Sequence, residues 1–474
     1  MRPLVAWFIP DLAFAMAAVT LFYCLFLFQG YRRLFRDADA GWHIRAGEAI
    51  AATGSLPRTD PYSLTKSGQP WFAWEWGTDL VVGAIQRVSG LPGVALFYGT
   101  AIAAGVWLWF RLHWAVHGDF LLACAMAPLL LSTCNIHWLA RPHVVGWLFL
   151  VGAVLYAENA RPPFGWRHIL GVAAFTALWA NMHATFFFAP VIALIYAVRK
   201  RWFLWAAVVA AIAPLANPYG WRLYAHVFRY LTDSELLSHI GEFQSFDFHT
   251  AGSSQIIATV MLGIAGGALA LAVGRPEHFT LAMLVSAMAL LSARALPLAA
   301  LLLLPLANGA ITETLRRAGR LKKWLAYSAR LRALDSGMRG LVLVPAMLVM
   351  SFALLQAMPT GFPPDQFPVE AYSRIPAGAR LFAPDKFGGY LIYRSRGTFK
   401  VFFDGRSDFY GTAFLKQYSR MVQVRPGWRA IWDSFHFTHA LLPNDYPLIP
   451  ALEQMGWREI YRDGTATLLA RGGS

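Results

Sequence analysis

The chain has 474 residues, of which 57% are apolar and only 14% are charged, and it contains 19 Trp and 34 Phe. Such a mixture excludes a soluble domain and indicates a polytopic membrane protein. The formal net charge of +15 does not indicate a nucleic-acid-binding protein, because the basic residues lie in loops between apolar runs, where they set the orientation in the membrane.

Eleven apolar segments are candidate membrane spans when the sequence is read in a window of about 20 residues. They cover 8–29, 92–113, 119–134, 143–157, 168–180, 183–198, 203–216, 254–273, 279–292, 295–309 and 340–357. The first one contains alanine-rich stretches that resemble a signal-peptide cleavage site, but its apolar core continues past them, which favours a retained span. The two segments that meet at "WANMHATF" could also form one bent helix, which would reverse the orientation of the spans that follow.

The distribution of basic residues predicts the orientation of the chain. The loop "TLRRAGRLKKWLAYSARLRALDSGMR" is rich in Lys and Arg, so the positive-inside bias places it in the cytoplasm. Alternation of the spans then puts the first loop and the carboxyl terminus outside. Arg32, Arg33 and Arg36 follow the first span on this outer side and run against the assignment, unless they contact membrane lipid phosphates.

A change of pattern near residue 360 predicts a second domain. The apolar runs stop there, and "ARLFAPD", "FKVFFDGR", "FTHALLPN" and "ATLLAR" have the composition of short strands, separated by the helical patterns "TAFLKQYSRMV" and "PLIPALEQMG". We therefore predict a mainly α fold in two domains. A transmembrane helical bundle covers 1–359, with a first outer loop over 30–91 that carries interfacial helices, and a small α/β domain covers 360–474 on the outer side.

Polar clusters crowd into the loops assigned to the outer side, among them "FRDADAGWHIRAGEAI", "NIHWLARPH", "WANMH", "HIGEFQSFDFH" and "ARALP". Ionisable groups at membrane depth are costly and usually functional, so we expect binding and chemistry at the outer surface. A transporter would instead place polar groups near the bilayer midplane, between two similar halves. The one-sided pattern argues against that function.

The first outer loop contains the most concentrated set of acidic residues. Asp39 and His43 are four residues apart, so a helix that begins near Asp37 would place them on one face, and Asp37 could cap that helix. The alternative is a purely interfacial helix with Trp42 among the lipid headgroups. Further on, "PWFAWEWGTDL" surrounds Glu75 with aromatic rings, so this carboxyl group must be paired or have a raised pKa.

An acidic motif after the first span, an extended first outer loop, many spans and an outward α/β domain together resemble the C superfamily of glycosyltransferases (GT-C). The stretches "DADAGWHIRAGEAI", "WANMHATF", "ANPYG" and "KFGGYLIYRSRGTFKVFFDGRSDFY" are similar to a poorly characterised bacterial branch of these integral membrane enzymes. The resemblance implies that the chain transfers a sugar from a polyprenyl-phosphate donor to a lipid, glycan or protein acceptor. It also implies a multi-pass protein of the bacterial inner membrane, with its active site facing the periplasm.

The resemblance also implies roles for the first-loop aspartates. In the family this aspartate is a general base or a metal ligand; Asp39 matches it best and Asp37 is the alternate. A plain Asp-Glu pair of some relatives is replaced here by Asp-Ala-Asp, which leaves open how the two carboxylates divide the work. A divalent metal cation is a possible cofactor, although no spacing is diagnostic of one. Its candidate ligands are Asp37, Asp39, Glu75 and Glu242.

Sugar transfer from a lipid phosphate requires a base for the acceptor hydroxyl and charge stabilisation on the departing phosphate. We assign the base to Asp39. Arg141 and Arg294 are candidates for the phosphate, since the guanidinium fork can bind two oxygens at once, while each could also merely reach the membrane interface. The residues expected to bind substrate are His43, Glu75, Arg141, Asn181, His183 and Arg294.

Two other functions compete with this one. An oligosaccharyltransferase or glycan ligase would use a polyprenyl-pyrophosphate donor and would carry a peptide-binding motif in its tail; the familiar acidic tryptophan motif is not found there. A transporter of lipid-linked glycans fits less well. In "VFFDGRSDFY", the Asp404–Arg406 pair follows a predicted strand, and stabilisation of a turn is the slightly favoured interpretation for Arg406.

Overall fold

The computed structural model describes residues 5–472, so the first four and the last two residues of the predicted domains lie outside the described residues. Within that range the fold is mainly helical. The α-helices are α1 (Leu12–Phe26), α2 (Asp39–Thr53), α3 (Trp76–Ala115), α4 (Phe120–Asn135), α5 (His143–Asn159), α6 (Trp166–Met182), α7 (Phe188–Ala197), α8 (Phe203–Ile212), α9 (Trp221–Thr232), α10 (Ser234–Leu237), α11 (Ser253–Ala272), α12 (Pro276–Leu291), α13 (Leu296–Arg317), α14 (Lys322–Ser336), α15 (Leu343–Gln356), α16 (Asp385–Arg394), α17 (Ser407–Tyr410), α18 (Thr412–Val422), α19 (Trp428–Ser434) and α20 (Leu448–Glu453).

Each predicted apolar segment contains a helix. Three helical stretches of the described chain are long and apolar enough to cross a membrane, judged by length and composition: Trp76–Ala115, Ser253–Ala272 and Ala293–Arg317. Shorter apolar helices of 10–17 residues accompany them. The chain is therefore a multi-pass membrane protein, while the count of eleven spans stays a prediction.

The segment "WANMHATF" forms two helices rather than one bent helix. Helix α6 ends at Met182, and His183 has an extended backbone (φ −162°, ψ 146°) before a short 3-10 turn leads into α7. The backbone N–H of Thr185 donates to His183 Nδ1 at 3.2 Å, so the side chain caps this turn. The break places the imidazole at a helix end.

Loops assigned to the same side by sequence contact one another in the structure. On the inner side, Asp11 pairs with Arg111 at 2.5 Å, and the amide of Asp119 donates to Asn308 Oδ1 at 2.9 Å. On the outer side, Arg141 contacts Asp37 at 3.1 Å. The contacts agree with the predicted alternation, and the orientation relative to the membrane stays a prediction.

Glycines bring α2 close to two neighbouring helices. A Cβ atom at Gly47 of α2 would collide with the backbone of Asp79 in α3, and one at Gly83 would collide with Gly47 in turn. On another side of α2, a Cβ atom at Gly41 would collide with the backbone of Gly389 in α16. Helix α2 is thus held between α3 and the carboxyl-terminal part of the chain, and its first residue is Asp39.

The carboxyl-terminal part contains one four-stranded sheet among the described residues, in the order β1-β2-β4-β3. The strands are β1 (Leu381–Phe382), β2 (His439–Pro443), β3 (Arg458–Arg462) and β4 (Ala466–Ala470). Strands β1 and β2 are parallel, and the other pairs are antiparallel. Helix α18 coincides with the predicted pattern "TAFLKQYSRMV", and α20 lies inside "PLIPALEQMG".

The predicted strand in "FKVFFDGR" is wrong. The backbone hydrogen bonds of Val401 go to the first outer loop, with Tyr62 O at 2.9 Å and the amide of Leu64 at 2.7 Å, instead of to the sheet. Strand β3 was not predicted, because its mostly exposed sequence "REIYR" lacks an apolar face. Buried residues of both predicted domains, such as Trp42 and Leu391, belong to one hydrophobic core, and the boundary at 359/360 stays a prediction.

Candidate active site

A cavity of about 330 Å³ lies where the helix ends that the sequence assigns to the outer side meet. Its walls come from α2, from the start of α3, from the loops that precede α5, α7 and α13, and from the segment before α17. Trp42, Trp71, Trp74 and Trp147 form aromatic parts of these walls. The charged and imidazole side chains that line the cavity are Asp39, His43, Glu75, Asp79, His137, Arg141, His143, His183, Arg294, Arg406 and Asp408.

Arg141, in the loop between α4 and α5, is the centre of one cluster. Its Nη2 lies 2.7 Å from Asp39 Oδ2, and its Nη1 lies 3.1 Å from Asp37 Oδ2 and 2.7 Å from Glu242 Oε1. Burial alone would lower the pKa of Arg141, but Asp37, Glu242 and Asp39 outweigh it and raise the pKa well above its usual range. Arg294 approaches the other side of Glu242, with Nη1 3.5 Å from Oε2.

Asp39 is the first residue of α2, and its carboxylate is fully engaged. Asp37 Oδ1 accepts the backbone N–H of Asp39 at 2.8 Å and so contacts the start of the helix, although the N-cap position is that of Ala38 and not of Asp37. The indole of Trp42 donates to Asp39 Oδ1 at 3.1 Å, while Oδ2 faces Arg141. Burial raises the pKa of Asp39 to about 6, and Arg141 acts against that rise.

Glu75 is part of a second cluster, made of carboxylates and imidazoles. Its Oε1 lies 3.2 Å from His183 Nε2, and its Oε2 lies 3.8 Å from His43 Nε2. The other ring nitrogen of His43 is 2.6 Å from Asp79 Oδ1, so the order is Asp79, His43, Glu75, His183. Burial raises the pKa of Glu75 to about 7 and lowers that of His43 to about 4, which keeps His43 neutral at pH 7.

Small residues make room for this cluster. A Cβ atom at Gly146 of α5 would lie 2.6 Å from His183 Nδ1, too close for any side chain there. In the first cluster, a Cβ atom at Gly405 would collide with the carboxylate of Asp39. The loop before α17 therefore closes directly over Asp39, and this contact joins the two ends of the chain at the cavity.

Most of the predicted site residues come together, and Asn181 is the exception. The cavity is lined by Asp39, His43, Glu75, Arg141, His183 and Arg294, and the carboxylates of Asp37 and Glu242 contact Arg141 behind it. Asn181 accepts the indole N–H of Trp76 at 2.9 Å and donates to Ala177 O at 2.7 Å, so its side chain joins α3 to α6 outside the lining.

The candidate metal ligands do not fit a divalent cation in this arrangement. Among residues 5–472, no three or more His, Cys, Asp or Glu side chains form a group that could hold a metal ion. Asp37, Asp39 and Glu242 converge on the guanidinium of Arg141, which already supplies the positive charge between them. Glu75 lies with histidines instead.

Sequence reasoning missed Asp79, His137, His143 and Gly405 as parts of the cavity wall. Asp79 was open to detection, because it follows Glu75 by four residues at the start of a helix, a spacing that puts both on one face. No local signal marks Gly405, since its role depends on a contact with the other end of the chain.

Arg406 does more than stabilise a turn. It forms a bidentate pair with Asp404, with Nε and Nη2 at 2.8 and 2.7 Å, and Nη1 lies 2.8 Å from Asp60 Oδ1 in the first outer loop. Its guanidinium carbon is 4.8 Å from the centre of the Trp71 ring. This buried group fastens the carboxyl-terminal loop to the first loop beside the cavity.

No protein-family model matches the chain, and no curated protein matches it by sequence. Solved structures do match. One is the oligosaccharyltransferase of Archaeoglobus fulgidus tethered by a disulfide bond to an acceptor peptide with the NVT sequon: TM-score 0.55, 11% identity, 91% of this chain and 68% of that chain covered. Another is the archaeal oligosaccharyltransferase AglB from the same organism with an inhibitory peptide and a dolichol-phosphate: TM-score 0.55, 11% identity, 91% and 69% covered. At this identity the likeness concerns the fold alone: the chain has the fold of these oligosaccharyltransferases.

Proposed function

We propose that this chain is a membrane glycosyltransferase that moves a sugar from a polyprenyl-phosphate donor to a lipid, glycan or protein acceptor. The observation that carries the proposal is the position of Glu242, whose carboxylate lies between the guanidinium groups of Arg141 and Arg294 at 2.7 and 3.5 Å. Two arginines that converge on one anion at a cavity wall form a suitable site for a phosphate group.

The donor phosphate would take the place of Glu242 between the two arginines. Glu242 belongs to the loop between α10 and α11, where burial would raise its pKa, but Arg141 and Arg294 hold it well below its usual range. The carboxylate is therefore ionised and acts as an internal stand-in for an anionic ligand. As the bond to the sugar breaks, negative charge grows on the phosphate, and fixed guanidinium groups stabilise that charge in a site shielded from water.

The acceptor needs a base within reach of its hydroxyl group. Asp39 is the residue nominated from sequence, with Asp37 beside it, and Glu75 is a second carboxylate of the same cavity wall. The imidazoles of the cavity lining, among them His43 and His183, would orient the sugar and the acceptor. In this proposal the cavity and the carboxyl-terminal domain over 360–474 face the periplasm of a bacterial inner membrane.

A second candidate function is oligosaccharide transfer from a polyprenyl-pyrophosphate donor. The fold favours it, because the similar solved structures are oligosaccharyltransferases, one with an acceptor peptide and one with an inhibitory peptide and a dolichol-phosphate. The two functions differ in the number of phosphates in the leaving group and in the size of the group transferred.

A reconstituted assay tests both functions. The purified chain in lipid nanodiscs is given a polyprenyl-phosphate monosaccharide or a polyprenyl-pyrophosphate oligosaccharide, with a mixture of glycan, lipid and peptide acceptors, and release of the lipid phosphate is measured. We expect release from the monophosphate donor that requires an acceptor. Release from the pyrophosphate donor alone would favour the second function, and release from neither donor would contradict both.

A further inference from the structure

The cavity contains two carboxylates that could accept a proton, and their surroundings differ. Both oxygens of Asp39 are occupied, Oδ1 by the indole of Trp42 at 3.1 Å and Oδ2 by Arg141 at 2.7 Å. The backbone of Gly405 also covers this carboxylate. An acceptor hydroxyl could reach Asp39 only if one of these contacts opened.

Glu75 is buried at the cavity wall without such a cationic clamp. His183 and His43 flank its two oxygens at 3.2 and 3.8 Å, and the second distance is too long for a hydrogen bond. The oxygens of Glu75 therefore keep lone pairs that face the cavity.

The other contacts of the two imidazoles set the tautomer of His183 and the orientation of the His43 ring. His183 Nδ1 accepts the amide N–H of Thr185 at 3.2 Å, so the ring proton is on Nε2, which faces Glu75. That Nε2 lacks an aligned hydrogen-bond acceptor among the described residues although it is buried, so it is a donor still available to a bound oxygen. His43 Nδ1 lies 2.6 Å from Asp79 Oδ1, and this hydrogen bond holds the His43 ring in its orientation.

We propose that Glu75 is the general base of the glycosyl transfer and that Asp39 is a positioning residue that holds Arg141. The inference rests on the proposed function. In the step, the acceptor O–H bond breaks and its proton passes to a carboxylate oxygen of Glu75, while the hydroxyl oxygen bonds to the anomeric carbon of the sugar. The bond from that carbon to the donor phosphate oxygen breaks, and its electron pair leaves with the lipid phosphate.

The charges around Glu75 suit this role. Burial raises its pKa to about 7, a value at which a base is available in neutral solution and still takes up a proton readily. Asp79 adds to this rise, and Arg294 and Arg141 act against it. The titratable and charged groups that face Glu75 from the elements packed around it are His43, Asp79, Arg141, His183 and Arg294.

The test compares Glu75→Gln, Asp39→Asn and the matched control Glu235→Gln, an exposed glutamate of the outer loops. With the polyprenyl-phosphate sugar as donor, we expect Glu75→Gln to lower kcat by about 10²–10⁴-fold. Its binding of sugar-free polyprenyl phosphate should stay at the wild-type level, which also verifies folding. Asp39→Asn should instead raise the KM for the donor and weaken binding of polyprenyl phosphate, because Arg141 loses an anchor.

A second variant, Glu75→Ala, supplies an independent readout, since added formate should restore part of the rate if a carboxylate base is missing. The proposal is overturned if wild type transfers sugar and Glu75→Gln keeps its kcat, or if Asp39→Asn and not Glu75→Gln loses kcat with intact lipid binding. Either result would leave the proposed function standing. A wild-type chain that transfers no sugar from either donor would overturn the function itself and the role of Glu75 with it.

Discussion

Two glutamates with buried side chains, at opposite helix ends, show how a carboxylate of the cavity differs from one in a structural ion pair. Glu158, at the inner end of α5, is fully engaged: Oε1 accepts from Tyr196 and His278 at 2.6 and 2.7 Å, and Oε2 pairs with Arg275 at 2.9 Å. Glu75, at the outer end of α3, meets two imidazoles, neither of them aligned for a hydrogen bond to it, and lines a cavity.

Burial of a charge is therefore not by itself a sign of function. Both carboxylates are costly to bury, and the Glu158 cluster (Glu158, Tyr196, Arg275 and His278) offsets the cost with donors that leave no room for a ligand. At the cavity, Asp37, Asp39 and Glu242 are likewise paired with Arg141, whereas Glu75 lines the open space without an arginine partner. Of these carboxylates, Glu75 is the one available to a substrate.

The largest loss of activity is expected from Arg141→Gln. The variant leaves Asp37, Asp39 and Glu242 without their shared cation. It also removes one of the two guanidinium groups from the proposed phosphate site. We expect the rate of sugar transfer from the lipid-phosphate donor to fall by about 10²–10³-fold, the usual cost of one lost charge-stabilising donor. Arg141→Lys should recover part of the rate, as a point charge without the fork. The exposed Arg222→Gln serves as control, and an unchanged rate in Arg141→Gln would contradict the phosphate role.

A smaller change, Gly405→Ala, tests whether the carboxyl-terminal loop shapes the cavity. The added methyl group would push the Asp39 carboxylate and its partner Arg141 away from their present positions. Since a displacement of about 1 Å can cost about 10²-fold, we expect a loss of that order in kcat/KM for the donor. Gly464→Ala, in the same domain and with open space around the position, is the matched control. Equal rates for the two variants would show that the contact is not functional.

The sequence was sufficient to predict which ends of the helices carry the clustered polar side chains. Long apolar runs must be helical in a membrane, so the helices could be located, and the crowding of polar residues in alternate loops predicted that polar side chains gather at one surface. The phosphate candidates Arg141 and Arg294 followed from the residue type. The side chain of Asn181 lies outside the cavity lining and joins two helices, since a polar residue at a helix end serves packing as readily as binding.

Contacts between the two ends of the chain could not be predicted from local patterns. The pairing of Val401 with the first outer loop turned a predicted strand into an irregular segment, and it brought Gly405 over Asp39. The ion pair between Asp39 and Arg141 could likewise not be predicted, since it depends on the distance between two loops. Asp39, which has the clearest sequence motif, therefore has a carboxylate whose two oxygens both contact other side chains.

The pH dependence of the rate distinguishes Glu75 from Asp39 as the general base. If Glu75 is the base, only its ionised form accepts the proton, and its pKa is raised by burial to about 7. We expect kcat to rise about tenfold per pH unit below that value and to become flat above it. His43 contributes no second limb in this range because burial lowers its pKa to about 4. The limb should persist in Asp39→Asn, and a midpoint near pH 6 that disappears in Asp39→Asn would assign the base to Asp39.

The smallest effect on activity is expected from the Glu158 cluster. Glu158→Gln removes the negative charge that faces Arg275 and His278, and breaking a buried ion pair typically costs about 3–5 kcal/mol of unfolding free energy. Thermal unfolding in detergent should show this loss, while Glu313→Gln, in an exposed pair with Arg317, should change the stability by less than about 1 kcal/mol. Because the cluster lies at the inner helix ends, away from the cavity lining, the transfer rate of the folded Glu158→Gln protein should stay near the wild-type value. A large loss of kcat with an unchanged unfolding midpoint would mean that the inner carboxylate also takes part in the reaction, and the distinction between the two glutamates would then fail.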